Sequence, residues 1–178
     1  MESLKSKVVV ITGATRGLGA AFALTLARAG CQLILCGRRE NDLATIAERV
    51  VSFGGERPIL VQLDLADVSS VSRTVNQIVA LNTGIDILIN NGATWLENSQ
   101  TPYKAEDVLS VVNAAITGTF LFIQGLKTAM QKSSAPDILT IGSISGLPNA
   151  ALQSVSVPFY AAKRGQIALA DGLRQGVH

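Results

Sequence analysis

Val8-Val9-Val10-Ile11-Thr12-Gly13-Ala14-Thr15-Arg16-Gly17-Leu18-Gly19-Ala20-Ala21-Phe22-Ala23-Leu24 is the stretch on which the fold turns. Its β-branched opening suits a buried strand, its glycine cluster a tight turn, and its alanine- and leucine-rich end the start of a helix. A turn of this kind receives anions. Glycines accept positive φ and let a ligand approach the backbone, while the unpaired N–H groups and dipole of the helix start favour negative charge. A plain strand-to-helix connection is the other reading of such a cluster; its place at the first βα junction favours the phosphate of a nucleotide.

Outward from this unit the pattern repeats. Residues 32–36 read as a second strand and 40–53 as a helix closed by Gly54-Gly55; 57–63 is a third strand, and 67–81 a helix with Asp67 as its N-cap. Residues 85–89 form the fourth strand, followed by a polar loop through Tyr103, a short turn and a long helix over 106–131. Residues 137–141 are the fifth strand, then a loop with Pro148 and Pro158, then a last helix over 160–175. Short apolar strands alternating with helices predict a Rossmann-like, doubly wound parallel sheet in three α/β/α layers. Neither repeat nor linker interrupts 1–178, so one domain is expected, with ligands at the carboxyl ends of the strands.

Composition narrows the partners. Charged residues make up 16% of 178, with a net charge of +2 and no block of one sign, which speaks against a nucleic-acid surface. Cys31 and Cys36 lack CxxC spacing or a histidine partner, so no metal site is expected, and reduced, buried thiols suit the cytoplasm. The chain runs from Met1 directly towards its first strand without a leader pattern. Residues 108–126 carry no charge and are long enough to span a bilayer. Ser110, Asn113, Thr117, Thr119 and Gln124 interrupt them inside a βα series, so the expectation is a helix covered by its own sheet and by a second subunit, with no membrane.

The strand ends hold the candidate chemistry. After the second strand comes Gly37-Arg38-Arg39, where a dinucleotide fold for NAD places an acid. Two guanidiniums, with Arg16 reaching from the glycine turn, instead suit a 2′-phosphate and hence NADP; solvated arginines opening a helix are the alternative. Asp64 reads equally as a contact to the adenine edge and as an Asx turn, and the amides of Asn90 and Asn91 are placed to tie adjacent loops together or to form turns. At the fifth strand end Ser143 is placed to polarise a carbonyl oxygen, Tyr160 to transfer a proton and Lys163 to lower the phenol pKa.

Together these segments resemble the short-chain dehydrogenase/reductase family over essentially the whole chain: the TGxxxGxG turn, Asp64, Asn90-Asn91-Gly92-Ala93, Ser143 before Gly146, and Tyr160 with Lys163. The resemblance implies NADP(H)-dependent interconversion of a small-molecule carbonyl and an alcohol, with catalysis by Ser143, Tyr160 and Lys163. The implied cofactor contacts are Gly13, Thr15, Arg16, Gly17, Leu18, Gly19, Arg38, Asp64, Leu65, Asn91, Gly92, Tyr160 and Lys163. It also implies a homodimer or homotetramer joined through the 106–131 and 160–175 helices.

Four departures stand beside it. Tyr160 and Lys163 are three apart where the family spaces them four, with Arg164 in the fourth place. We read the segment as one residue short; the other register sets Phe159 in the tyrosine position. Ala115 stands where the family has an asparagine, with Asn113 two residues away on the other side of a regular helix. The third is Asn91-Gly92-Ala93, which shifts a glycine by one. Finally, the sequence ends at His178, to which no catalytic role is given, before the last two family strands. A catalytically weak scaffold or regulatory subunit that binds NADP(H) is the competing expectation.

Overall fold

The computed structural model describes residues 4–149 and 155–176. Expectations on Met1, on residues 150–154 of the loop between Pro148 and Pro158, and on His178 lie outside the described residues. In chain order the elements are β1 (Val8–Thr12), α1 (Gly17–Arg28), β2 (Gln32–Gly37), α2 (Glu40–Ser52), β3 (Ile59–Gln62), α3 (Val68–Ala80) and β4 (Ile87–Asn90). There follow α4 (Ala105–Val112), a π-helical segment (Asn113–Gly118), α5 (Thr119–Met130), β5 (Asp137–Thr140) and α6 (Val157–Gly176).

All five strands are parallel in the order β3-β2-β1-β4-β5. The order reverses at β1, so the crevice between the ends of β1 and β4 is the topological switch point at which such sheets bind ligands. β1 is buried at every position, which is why it reads as a continuous apolar run. Alternate residues feed two cores. Val8, Val10 and Leu88 pack beneath Phe122 and Leu126 of α5, while Val9, Ile11 and Ile89 pack beneath Ala23 and Ala27 of α1. Both thiols sit in these cores, and burial pushes Cys36 up to about 12.

Asp67 caps α3 as its spacing predicts, its Oδ1 accepting from the Ser69 amide at 2.9 Å. Three boundaries differ. The expected strands over 57–63 and 85–89 are found at Ile59–Gln62 and Ile87–Asn90, with the Leu63 and Asp86 amides still donating to the Gly37 and Val8 carbonyls of the neighbouring strands. The last helix begins at Val157 instead of residue 160, with Pro158 inside its first turn, where a missing N–H costs nothing. The long helix is broken by a π segment. A Cβ on Gly118 would run into the Leu65 carbonyl, so the helix presses closely on the end of β3 there, and the Thr119 hydroxyl, five residues on, bonds the Ala114 carbonyl at 2.9 Å.

The helix over Ala105–Met130 is long and apolar enough to cross a membrane by length and composition. Its inner face, with Phe122 and Leu126 fully buried, instead covers the sheet. Among the described residues β5 pairs only with β4, and its Ile138 and Leu139 are 39% and 43% exposed.

Candidate cofactor and active site

The turn after β1 is built from positions that tolerate no side chain. Gly13 has φ +64°, and a Cβ on it would stand 2.8 Å from the Gly92 Cα; a Cβ on Gly19 would strike the Gly13 carbonyl. The two loops are stitched together by Thr12 and Asn91. The Thr12 hydroxyl accepts from the Asn91 and Gly92 amides at 3.1 and 2.9 Å, and Asn91 Nδ2 donates to the Thr12 and Gly13 carbonyls at 3.1 and 3.0 Å. The shifted glycine of Asn91-Gly92-Ala93 is therefore the one that fits beneath the turn. α1 opens from Arg16, which offers no side-chain cap to the helix's first N–H groups, so these donors remain available to an anion.

A cleft of about 300 Å³ lies over this turn. It gathers Gly13, Thr15, Arg16, Gly17 and Leu18 from the turn and Arg38 from the end of β2. Asp64 and Leu65 come from the end of β3, Asn91 and Gly92 from the end of β4. Gly19 lies behind them, buried. Arg39 also lines the cleft but pairs there with Asp42, its Nη2 lying 2.6 Å from Asp42 Oδ2, whereas Arg16 and Arg38 form no ion pair among the described residues. Asp64 lines the cleft, and its Oδ1 accepts from the Ala66 amide at 2.9 Å, closing the expected Asx turn. Asn90 behaves differently from its neighbour: its amide is buried at the end of β4 with neither atom hydrogen-bonded.

Sequence reasoning missed Thr94 and Ala114 in the wall of the cleft. Ala114 enters because the π segment rotates the helix, which no helical periodicity signals. Asn113 opens this π segment, so the helix is not regular there, and its Oδ1 accepts from the Thr117 hydroxyl at 3.5 Å.

Ser143, Tyr160 and Lys163 do not bond one another, and none of them lines this cleft, including Tyr160 and Lys163, which were expected among its contacts. Ser143 caps the short turn Ile144–Gly146, its hydroxyl accepting from the Ser145 amide at 3.1 Å. Tyr160 is half-buried, and its hydroxyl accepts from Arg164 Nη1 at 3.3 Å. Lys163 is 5% exposed; its Nζ donates to the Ile141 carbonyl at 3.1 Å and to Gln166 Oε1 at 2.8 Å, and burial pushes its pKa below 10.5. The expected phenol–ammonium pair is thus not a direct contact. The helix face that carries Lys163 also carries Phe159, Ala162 and Gln166, all buried. Phe159 meets Trp95 edge to face, ring centroids 4.8 Å apart, in an apolar cluster with Ala115. An isolated bridge from Glu97 to Val155 draws the loop after β4 onto the residues before α6.

Close backbone approach at Gly13, open helix-start donors and the guanidiniums of Arg16 and Arg38 give the cleft the donor set for an anion. Proteins of similar sequence and structure share this fold. A Drosophila melanogaster protein named dehydrogenase/reductase SDR family protein 7-like is 32% identical over 182 residues, covering 99% of this chain and 54% of that protein. The crystal structure of a 3-oxoacyl (acyl-carrier-protein) reductase from Agrobacterium tumefaciens with NADP bound superposes with a TM-score of 0.84 at 25% identity, covering 97% of this chain and 66% of that one. A metagenomic short-chain oxidoreductase in complex with NADP gives 0.83 at 26%, covering 98% and 79%. The chain spans about half the length of the curated relatives it matches. The family pattern described as short chain dehydrogenase matches residues 7–178, and with its glycine turn, parallel sheet and strand-end cleft the chain belongs to that family of oxidoreductases.

Proposed function

We propose that the protein binds NADP(H) and interconverts a carbonyl and an alcohol. The observation that carries this reading is the cleft over the glycine turn, in which Arg16 and Arg38 are the uncommitted cations and no acid follows β2 directly. Two guanidiniums suit a 2′-phosphate, whereas a ribose hydroxyl calls for a carboxylate. The solved structures above with NADP bound support the same choice. When bound, the nicotinamide supplies or accepts the hydride. Ser143 donates its hydroxyl to the carbonyl oxygen, Tyr160 passes the proton from its phenol, and Lys163 sets positive charge at the strand end. Soluble protein mixed with NADPH and a panel of aldehydes and ketones tests the reading. Turnover that falls in Tyr160→Phe is expected; retained NADPH binding without turnover on any substrate refutes it.

A second reading, NADP(H) binding without catalysis as a scaffold or regulatory subunit, is favoured by one observation. Phe159, four residues before Lys163, occupies the face a proton donor would need and packs with Ala115, while Arg164 holds the Tyr160 hydroxyl.

The protein is further proposed to act in the cytoplasm, free of membrane and nucleic acid, as a homodimer or homotetramer through the 106–131 and 160–175 helices. In support, an apolar groove of about 660 Å³ runs between α5 and α6, lined by Ile123, Met130, Leu169 and Leu173, and Leu109 and Phe120 are exposed. Light scattering during gel filtration tests the assembly; a monomer at micromolar concentration refutes it.

A further inference from the structure

Gln166 lies one turn beyond Lys163 on α6 and is 1% exposed. A glutamine at an interior position of an amphipathic helix is desolvated to no benefit unless its amide is used. Here its Oε1 accepts from the Lys163 ammonium at 2.8 Å, and the Ile141 carbonyl, just past β5, accepts from the same nitrogen at 3.1 Å. Lys163 takes part in no salt bridge among the described residues, so its buried charge is met by these two neutral oxygens. The stem is long and flexible, and two acceptors from different elements fix where its head stands. The backbone is fixed as well, since Gly146 packs so closely that a Cβ on it would lie 3.0 Å from the Lys163 carbonyl. An ammonium has three donors; with two taken, one is left for an oxygen of a ligand.

We infer that Gln166 is a positioning residue that anchors the Lys163 ammonium at the end of β5 so that its remaining donor serves the bound cofactor. The inference rests on the proposed role of Lys163 at NADP(H). It is tested by NADPH dissociation constants read from quenching of Trp95, the one tryptophan in the sequence, in the wild type, Gln166→Met, Gln166→Glu, Lys163→Ala and the Q166M/K163A double variant. Gln166→Met keeps the length of the side chain and removes the acceptor; it is expected to weaken NADPH about tenfold, the loss of one hydrogen bond to a charged group. Gln166→Glu keeps an oxygen and most of the affinity, and Gln166→Met adds nothing in the Lys163→Ala background.

Wild-type affinity in Gln166→Met while Lys163→Ala binds weakly overturns the inference, as does an equal loss in both backgrounds, which marks a purely structural role. Should Gln166→Met lose its native circular dichroism, Gln166→Glu decides: binding as weak as in Lys163→Ala overturns the inference. Wild-type affinity in Lys163→Ala, where Gln166 is intact, removes the role of Lys163 itself and the inference with it.

Discussion

Replacing Arg38 by Asp should exchange the cofactor preference of the cleft. In the structure only Arg16 and Arg38 are uncommitted there, because both donors of Arg39 that bond Asp42 lie at 2.6 and 2.7 Å from one carboxylate oxygen. The exposed Arg39–Asp42 pair contributes no more than about 1 kcal/mol, so Arg39 replaces Arg38 only in part. A charge-assisted hydrogen bond contributes about 1.5–3 kcal/mol, and Arg38 is exposed, so the lower figure applies, about tenfold in affinity. The new carboxylate beside a 2′-phosphate adds repulsion of about 1–2 kcal/mol once solvent and salt screen it. NADPH is then expected to bind about 10²-fold more weakly, while NADH, whose 2′-hydroxyl gains an acceptor, binds somewhat more tightly. Titrations of both cofactors at low and high salt measure the ratio, and the difference should shrink as salt rises. A ratio that stays within about threefold of the wild type, in protein with unchanged melting behaviour, refutes the assignment of Arg38 to the 2′-phosphate.

Three further outcomes are expected. Gly13→Ala combines an αL backbone with a Cβ 2.8 Å from Gly92; it should cost about 2–4 kcal/mol in denaturant unfolding and abolish NADPH binding. Phe159→Tyr combined with Ala115→Asn restores polar groups on the face of Lys163, so carbonyl reduction should appear or rise at least about tenfold, read as NADPH oxidation; no change counts against Phe159 standing at the donor position. For Asp86, burial pushes the carboxyl up, but the Val8 amide at 2.9 Å, the Ser133 hydroxyl at 2.7 Å and Lys7 at 3.1 Å outweigh it and hold the pKa below 3.8. Its stabilising contribution is thus complete above 3.8 and lost as pH falls through the lower folded value. Denaturant titrations at neutral and strongly acid pH should show a smaller acid loss in Asp86→Asn than in the wild type.

The proposed cofactor half of the site was legible as a glycine turn and a strand end because its determinants are local. Positive φ, close approach and a helix start all follow from Gly13, Gly17 and Gly19, and Arg38 sits beside them simply because it ends the strand adjacent to β1. The catalytic half was legible only as a set of residue types. A tyrosine, a lysine and a serine near one strand end are visible in the chain, but which face of α6 each occupies depends on where the helix starts, and it starts at Val157. Within it Phe159 is buried against Trp95 and the Lys163 ammonium bonds Gln166, while the Tyr160 hydroxyl meets Arg164. Ala114 and the π segment were equally hidden, since the distortion arises where Gly118 meets the Leu65 backbone, far away in sequence.

By itself the sequence determined the alternation of strands and helices, the parallel sheet and the phosphate-receiving turn, because strand and helix periodicity and the conformational freedom of glycine act over a few residues. Only the tertiary structure decided that Arg39 pairs with Asp42, that Lys163 turns inward onto Ile141 and Gln166, and that Ala115 and Phe159 join one apolar cluster. The reason is that a side chain's partner is set by which elements pack against it, and those contacts are made between segments that the chain brings together only when it folds.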